Sequence, residues 1–301
     1  MAETPDTTLM LHDKLVVGFD GSETSVAALR WAASEAARRG ASVVVIASFA
    51  PSPPVAYSSG LGHRGVAATT AAEEMAQWAR NELAGFVDDV FAAHPSVRHE
   101  YHAVVARPGT ALTQAGQDAD LVVVGRSGAG MLGRALLGSV TNDLLAHSPC
   151  PVVVVPDAPI PETGSVVVGT DGSAHAARAV RWAVDEADRR KAILKIAHCW
   201  QGPLRLVTDN PDRGDDMRKV DAEIVLDEAV ETARELVGGD VDHRLVEGGT
   251  VDSMVELSRA ADLVVLGSRG RGGFASMLLG SVAHAVASHA ACPTVIVRGI
   301  T

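Results

Sequence analysis

The chain has 301 residues, which suggests about two domains, since typical domains have roughly 100–200 residues. Hydrophobic residues make up 47% and charged residues 21%, a composition typical of a folded protein. The net charge of −11 lacks the basic surplus of a nucleic-acid-binding protein, so we expect no nucleic acid partner. No apolar run approaches the roughly 20 residues that span a bilayer, and the N-terminus lacks a signal-peptide layout. We therefore expect a cytoplasmic protein without a membrane partner.

The cysteine content gives no sign of a disulfide framework or a zinc site. The three cysteines, Cys150, Cys199 and Cys292, are too few and too widely spaced for either. Each lies in or beside a predicted strand, so we expect buried, unreactive thiols and keep a redox role only as the less favoured alternative.

The first half opens with a polar segment, residues 1–14, that shows no periodicity and is predicted to be a flexible tail. A short apolar strand is predicted at Leu15–Phe19. Ser22 is a favourable N-cap residue, and the apolar residues after it recur at steps of three and four. This pattern predicts a helix that reaches Arg39 and ends at Gly40.

The rest of the first half alternates strands and helices. Strands are predicted at Val43–Phe49, Val97–Val104, Asp120–Gly125 and Val152–Val155. Helices are predicted from about Ala67 to Val90, at Gly109–Gln117 and at Ser139–His147. The segment Pro51–Gly65 is rich in Pro, Ser and Gly, and its length suggests a lid or a mobile loop beside a site.

A glycine pattern, Gly-x2-Gly-x9-Gly-Ser, follows a buried apolar strand twice in the chain. It begins at Gly125 and again at Gly267, and corresponding glycines are 142 positions apart, from 267 − 125, 270 − 128 and 280 − 138. Glycine lets the backbone turn sharply or approach a ligand closely. The closing Gly-Ser opens a helix whose free N–H groups, dipole and serine hydroxyl favour an anion, with phosphate as the best candidate.

One such pattern would fit a plain turn as well as a ligand loop. Two copies with identical spacing favour the ligand loop and indicate an internal duplication. The pattern differs from the dinucleotide fingerprint, and it differs from the P-loop, which needs a Lys before the hydroxyl residue.

A linker is predicted at residues 156–164, which include three prolines and no periodic pattern. The first-half pattern then restarts, because Asp171 repeats Asp20 and Trp182 repeats Trp31, both at an offset of 151. The two tryptophans fall at helical positions and are predicted to be packing residues. Strands are predicted at Ile193–Trp200, Val241–Glu247, Leu263–Leu266 and Thr294–Val297, and helices from about Asp215 to Val237 and at Thr250–Arg259.

The alternation of strands and helices predicts two tandem, doubly wound, parallel-sheet α/β domains of Rossmann-like type, at residues 15–155 and 165–299. In such sheets ligands bind at the carboxyl ends of the strands, where the strand order reverses. Asp20 and the Gly125 loop leave such ends and are expected to face one crevice. The two closing strands are apolar edges, so we expect them to pair antiparallel about a pseudo-two-fold axis.

Taken together, the motifs resemble tandem universal stress proteins of the ATP-binding subclass, over Leu15 to Arg298. The resemblance rests on the paired Val-Val-Gly-x-Asp-Gly-Ser openings, the glycine loops, and the His-x-Pro-Cys-Pro and His-x2-Cys-Pro endings. It implies an adenine nucleotide alpha hydrolase-like fold that binds ATP in each half, with Mg²⁺ as an optional counter-ion of the nucleotide. It also implies a nucleotide-dependent stress-response regulator with an unidentified protein partner, paired domains within the chain, and a homodimer of whole chains as an open option.

The resemblance also implies a set of ligand residues in each half. The Asp after the first strand would contact adenosine, and backbone groups near the end of the second strand would hold the adenine edge. The first two glycines of each loop would lie along the ribose and phosphates, and the final Gly-Ser with the next residue would hold the phosphates. The implied residues are Asp20, Ser48, Gly125, Gly128, Gly138, Ser139 and Val140 in the first half, and Asp171, Cys199, Gly267, Gly270, Gly280, Ser281 and Val282 in the second.

The two implied sites differ in sequence. After the fourth strand the second half reads Gly-Ser-Arg-Gly, the usual family order, whereas the first half reads Gly-Arg-Ser-Gly. The segment before that strand is also shorter in the first half, with 11 steps from Gly109 to Asp120 against 13 from Gly249 to Asp262. We therefore expect the second site to be the stronger one.

Several of these residues also have a plain structural interpretation. Asp20 and Asp171 fit Asx turns at the start of a helix, and His147 and His289 are expected to cap helix ends. The arginines beside the glycine loops fit solvated charges and phosphate contacts equally well; they are Arg126, Arg269 and Arg271.

No general base or nucleophile stands out near the glycine loops, and Ser139 and Ser281 have no obvious histidine partner. We therefore expect a regulator and no enzyme, with at most slow ATP hydrolysis. A slow ATPase and a cyclic-nucleotide-binding protein of the same fold stay as alternatives.

Overall fold

The computed structural model describes residues 14–49, 83–128, 137–160, 162–202, 212–237, 240–272 and 278–298. The first half contains β1 (Lys14–Phe19), α1 (Glu23–Arg39), β2 (Ser42–Phe49), α2 (described over 83–92), β3 (His99–Val105), α3 (Pro108–Ala115), β4 (Leu121–Gly125), α4 (Ser139–His147) and β5 (Val152–Val155). The second half contains β6 (Ser165–Thr170), α5 (Ala174–Arg190), β7 (Ile193–Trp200), α6 (Asp212–Val237), β8 (Asp242–Glu247), α7 (Thr250–Ser258), β9 (Leu263–Gly267), α8 (Ser281–His289) and β10 (Thr294–Val297).

Most predicted elements agree with these bounds to within one or two residues, with α6 starting three residues earlier than predicted. β3 begins at His99 and not at the predicted Val97, because the Val97 backbone N–H donates to the His94 carbonyl and closes a turn there. The end of the predicted helix Gly109–Gln117 is a short 3-10 turn, Gly116–Asp118. The N-terminal tail, the proposed lid Pro51–Gly65 and most of the helix predicted from Ala67 lie outside the described residues.

The first helix of each half starts from a serine cap. The Ser22 Oγ accepts a hydrogen bond from the Ser25 N–H, and the Ser173 Oγ accepts one from the Ala176 N–H, in each case satisfying one first-turn donor. Gly40 ends α1 in the left-handed conformation, as predicted, with φ of 67°. These matching caps fix the same strand-to-helix turn in both halves.

The ten strands form one continuous sheet in the order β3-β2-β1-β4-β5-β10-β9-β6-β7-β8. Within each half every pairing is parallel, so each crossover contains a helix. The strand order reverses between β1 and β4, and again between β6 and β9. These are the positions at which doubly wound sheets open a crevice.

The two halves join through their closing strands. β5 and β10 pair antiparallel, with Val153 opposite Val295 and Val152 opposite Ile296, and all of these side chains are fully buried. The predicted antiparallel seam is therefore confirmed. Because each strand covers the exposed edge of the other, the duplication removes two aggregation-prone edges from the middle of the sheet.

The sheet is covered on both faces, which gives two apolar cores that run through both halves. α1, α2, α5 and α6 pack on one face, and α3, α4, α7 and α8 pack on the other. Valines of the central strands alternate between the two cores, as continuous apolar strands must when both faces are covered. None of the helices described is long and apolar enough to cross a bilayer.

Candidate functional site

Each half has a cavity of about 430 Å³ at its strand-order reversal, a size typical of small-molecule sites. The first cavity lies where β1 and β4 end, and the second lies where β6 and β9 end. Every residue that the sequence assigns to the two sites lines one of these cavities. They are Asp20, Ser48, Gly125, Gly128, Gly138, Ser139 and Val140 in the first, and Asp171, Cys199, Gly267, Gly270, Gly280, Ser281 and Val282 in the second.

The aspartate after the first strand of each half links the helix start to the glycine loop. One Asp171 oxygen accepts the Ser173 N–H at 3.0 Å, and the other accepts the Arg271 N–H at 2.8 Å. Asp20 accepts both the N–H and the hydroxyl of Ser22, at 3.1 and 2.5 Å. Both the Asx-turn interpretation and the placement at the cavity are therefore correct, since one carboxylate does both.

The first glycine of each loop has a structural role in addition to the predicted ligand contact, which stays a prediction. Neither Gly125 nor Gly267 has a positive φ, so neither provides a left-handed turn. A Cβ on Gly125 would lie 2.7 Å from the Thr24 backbone carbon, and one on Gly267 would lie 2.6 Å from that of His175. These glycines let the loop pass against the first turn of α1 or α5, whatever ligand binds.

The other two glycines face the cavity itself. A Cβ on Gly128 would lie 2.6 Å from an Asp20 carboxylate oxygen, and Gly270 meets Asp171 in the same way. A Cβ on Gly280 would meet nothing closer than 3.4 Å, which is ordinary van der Waals contact. Gly280 is therefore the position at which a methyl group tests ligand approach without disturbing the protein.

The helices that begin at the third glycine are uncapped by side chains. Gly138 and Gly280 are the N-cap residues of α4 and α8, and neither helix start receives a side-chain hydrogen bond. The serine-capped α1 and α5 provide the contrast within the same halves. The first-turn N–H groups of α4 and α8 are thus available to an acceptor in the cavity, where the helix dipole also favours an anion.

Apart from the helix start and the aspartate, the lining of each cavity is mainly apolar, which suits a flat ring system. Leu112 borders the first cavity and Met254 the second, and sequence reasoning missed both. Their only signal was a buried position on the short helices α3 and α7. Ser48 donates its hydroxyl to the Ala106 carbonyl at 2.8 Å, and Cys199 lies half-buried at the equivalent wall.

The cysteines are free thiols, and burial is the main reason that their pKa values are raised. Cys150 and Cys292 are buried as predicted, and burial raises the pKa of Cys292 to about 12. Cys199 departs from the expected full burial because it lines the second cavity. Its raised pKa keeps it a neutral thiol at physiological pH.

The arginines beside the two glycine loops make different contacts. The Arg126 guanidinium crosses the seam and donates to the Ala290 carbonyl at the C-terminal end of α8. Arg126 is therefore neither a solvated charge nor a residue of the first cavity. Arg269 and Arg271 both line the second cavity. Because the first loop reads Gly-Arg-Ser-Gly, its arginine bonds to the other half of the chain and not to its own cavity.

The described linings hold little that resembles catalytic machinery. Each contains one carboxylate, and neither contains a histidine, glutamate or lysine. His147 lies outside the cavities, where its Nδ1 contacts the Asp143 carboxylate and carbonyl near the end of α4. Across the residues described there is no cluster of three His, Cys, Asp or Glu side chains that could hold a metal ion.

The sequence profile of the universal stress protein family matches residues 12–156 and 163–298. A universal stress protein of Mycobacterium tuberculosis is 33% identical over 293 residues, covering 94% of this chain and 96% of its own length. A universal stress protein from Archaeoglobus fulgidus has a similar fold, with a TM-score of 0.63, 20% identity and coverage of 95% and 96% of the two chains.

One solved structure similar to a single half is a universal stress protein in complex with cAMP, at 34% identity over 44% of this chain and 95% of that one, with a TM-score of 0.36. The two profile matches together span nearly the whole chain, and they coincide with the two halves of the sheet. With the paired cavities and the full-length mycobacterial match, they show that this chain belongs to the universal stress protein family.

Proposed function

We propose that the chain is an ATP-binding regulator of the stress response, located in the cytoplasm, with one nucleotide site in each half. The observation that carries the proposal is the uncapped start of α4 and of α8 at a cavity whose lining is otherwise mainly apolar. A nucleotide has this same division, with a flat apolar base and an anionic phosphate end.

The geometry supports a definite orientation of the nucleotide. The phosphates would accept N–H groups from the start of α8 and lie beside Gly280 and Ser281. The adenine would lie against Met254 and near Cys199, at the apolar wall. Asp171 lies between these ends, where a carboxylate suits the hydroxyl groups of a ribose. The same arrangement applies to the first cavity, with Leu112 and Asp20.

A regulatory role is supported better than an enzymatic one. A phosphate-transferring enzyme needs a group that positions or activates the attacking nucleophile, and none borders the described cavity walls. The Asp171 carboxylate already accepts hydrogen bonds from two backbone N–H groups, those of Ser173 and Arg271. Slow hydrolysis from phosphate positioning alone stays compatible with this site.

Mg²⁺ would be held mainly by the nucleotide and not by the protein. Each described cavity wall offers a single carboxylate, Asp20 or Asp171, whereas Mg²⁺ in nucleotide sites combines one or two carboxylates with phosphate oxygens and water. We therefore expect ATP to bind with Mg²⁺ as a counter-ion, and to retain measurable affinity when the metal is removed.

Mass spectrometry of the small molecules released when the purified protein is denatured tests the proposal. We expect ATP or ADP in the released fraction. A single-turnover assay with labelled ATP separates the regulator from the enzyme. Turnover faster than roughly one per minute would contradict the regulatory role, since median enzymes run near 10 per second. Release of cAMP alone would instead favour the cyclic-nucleotide alternative.

A further inference from the structure

The described linings of the two cavities carry opposite net charge. The second contains one carboxylate, Asp171, and two guanidiniums, Arg269 and Arg271, for a formal charge of +1. The first contains Asp20 as the one charged side chain of its described lining, for a charge of −1. The positions that correspond to the arginines at the offset of 142 are Ser127 and Ala129, of which Ala129 lies outside the described residues.

The correspondence of Arg269 with Ser127 is also spatial. The Arg269 Cα lies 3.4 Å from the point that a Cβ of Gly280 would occupy, and the Ser127 Cα lies 3.6 Å from the same point at Gly138. Both residues thus lie beside the N-cap of the helix that receives the phosphates. The second half has a guanidinium there and the first half has a hydroxyl.

Arg269 has no compensating acidic partner among the residues described. Its Nε is buried without a hydrogen-bond acceptor, and so is the Nε of Arg178 on α5. Arg298 lies close enough to Arg269 that the two cations repel, and the Arg298 guanidinium donates to the Leu145 carbonyl. The pKa of His175 is lowered, mainly by its partial burial and next by the positive charges of Arg178 and Arg269. The surroundings of His175 are therefore positively charged as well.

Arg271 brings the second cation to the mouth of the cavity. Its backbone N–H donates to Asp171, and its guanidinium lies against the Cα of Gly172, where a side chain would clash. The equivalent Gly21 has open space beside it. An exposed guanidinium at this point is placed to meet the outer phosphates of a bound nucleotide.

We propose that the second cavity selects nucleoside di- and triphosphates, whereas the first binds adenine ligands with little regard to phosphate number. This inference rests on the proposed nucleotide function. Each charge-assisted contact of a guanidinium with a phosphate is expected to strengthen binding about tenfold or more. The ATP-to-adenosine affinity ratio should therefore be at least about tenfold higher in the second cavity than in the first.

Calorimetric titration of the full chain with adenosine, AMP and ATP tests this inference. Asp20→Ala isolates the second cavity, and Asp171→Ala isolates the first. In the Asp20→Ala background, Arg269→Ser with Arg271→Ala should lower the ATP-to-adenosine ratio at least about tenfold. In the Asp171→Ala background, Ser127→Arg should raise that ratio. ATP binding to the second cavity should also weaken more steeply with added salt.

Two control variants separate a local effect from a general one. Arg181→Ser removes an exposed arginine from α5 and should leave the ratio within about twofold. Arg134→Ala, in the segment outside the described residues, should leave the ratio of the first cavity within the same range. The proposed selection by charge would be overturned if Arg134→Ala lowered the ATP-to-adenosine affinity ratio of the first cavity. It would also be overturned if the two cavities had equal ratios. Absence of adenosine binding in both cavities would instead contradict the proposed function itself.

Discussion

The buried carboxyl groups of Glu35 and Glu186 bind the same two arginines across the junction of the two halves. Both side chains are fully buried, and each accepts hydrogen bonds from Arg39 and Arg190, so that each arginine bonds to its own half and to the other. The same arginines lie over the tryptophan of the opposite half, Arg39 on Trp182 and Arg190 on Trp31, at 5.8 and 5.6 Å from the ring centroids. The predicted packing tryptophans thus belong to the domain junction.

Burial alone would raise the pKa of Glu35, but the charges of Arg190 and Arg39 lower it to about 2. Burial and the neighbouring charge of Glu35 raise the pKa of Glu186. Of the two carboxyl groups, Glu35 is therefore the one whose charged form is stabilised more strongly.

This asymmetry predicts unequal effects from equivalent substitutions. Glu35→Gln should lower the free energy of unfolding by about 3 kcal/mol, because it removes a buried charge that balances buried arginines. Glu186→Gln should cost less, because burial and the charge of Glu35 raise the pKa of Glu186 and so disfavour its charged form. Urea unfolding at pH 7 measures both, with the exposed Glu256→Gln as the control. Equal losses from the two buried positions would contradict this asymmetry.

The charge of Glu35 also predicts a pH dependence. Its folded pKa is lowered from 4.5 to about 2, so its contribution is present above pH 4.5 and is lost as the pH falls toward 2. The stability difference between wild type and Glu35→Gln should therefore shrink across this window. Urea unfolding at a series of pH values measures it, and a difference that does not change down to pH 2 would contradict the lowered pKa.

The antiparallel seam predicts that a charge at its centre is poorly tolerated. Val153 and Val295 face each other across the seam and are fully buried, so Lys at either position should lower the free energy of unfolding by several kcal/mol. Ile193→Lys is the control, because Ile193 is 60% exposed on β7. Melting temperatures measure the effect. Wild-type melting of the Lys variants, with isolated halves that are stable monomers, would mean that the seam does not hold the halves together.

Substituting alanine for two glycines of the second loop should have two different effects, one on ATP binding and one on stability. Gly280→Ala should keep the melting temperature near that of wild type, because its Cβ meets only ordinary contacts, yet should weaken ATP binding at the helix start. Gly267→Ala should lower the melting temperature, because its Cβ would lie 2.6 Å from the His175 backbone. Calorimetry and thermal melting of both variants separate these effects. Unchanged ATP affinity with Gly280→Ala would make the loop purely structural.

The two sites should also lose different amounts of affinity when their aspartates are removed. Asp171→Ala should remove the tighter ATP-binding event and Asp20→Ala the weaker one, because the second cavity contains the two arginines. Titration of each single variant with ATP measures the remaining event. Equal affinity of the remaining events would contradict the predicted inequality.

The sequence predicted the fold well because its signals are local. The serine cap at Ser22, the terminating Gly40 and the apolar closing strands each specify their own structure, and the structure confirms all three. The convergence of the site residues followed from a general rule about doubly wound sheets. What the sequence could not supply were contacts between distant segments.

The missed contacts share this long-range character. Arg126 was assessed as a neighbour of its own glycine loop, yet it bonds to Ala290, 164 positions away. Glu35 and Glu186 carry no recognisable signal in the sequence. A buried acid on a helix looks like any other helical acid when its arginine partners lie in the other half. The sequence predicts that Gly267 lets a ligand come close to the backbone. It does not show that α5 also passes beside this glycine.

Equilibrium dialysis of labelled ATP against nucleotide-free protein tests most directly whether each half binds a nucleotide. We predict two ATP molecules per chain at saturation, one in each single variant, Asp20→Ala or Asp171→Ala, and none in the double variant. Circular dichroism should show the double variant folded, because Asp20 is exposed, Asp171 is only half-buried, and both lie outside the two apolar cores. A folded double variant that still binds two ATP molecules, or a wild-type protein that binds none, would contradict the account.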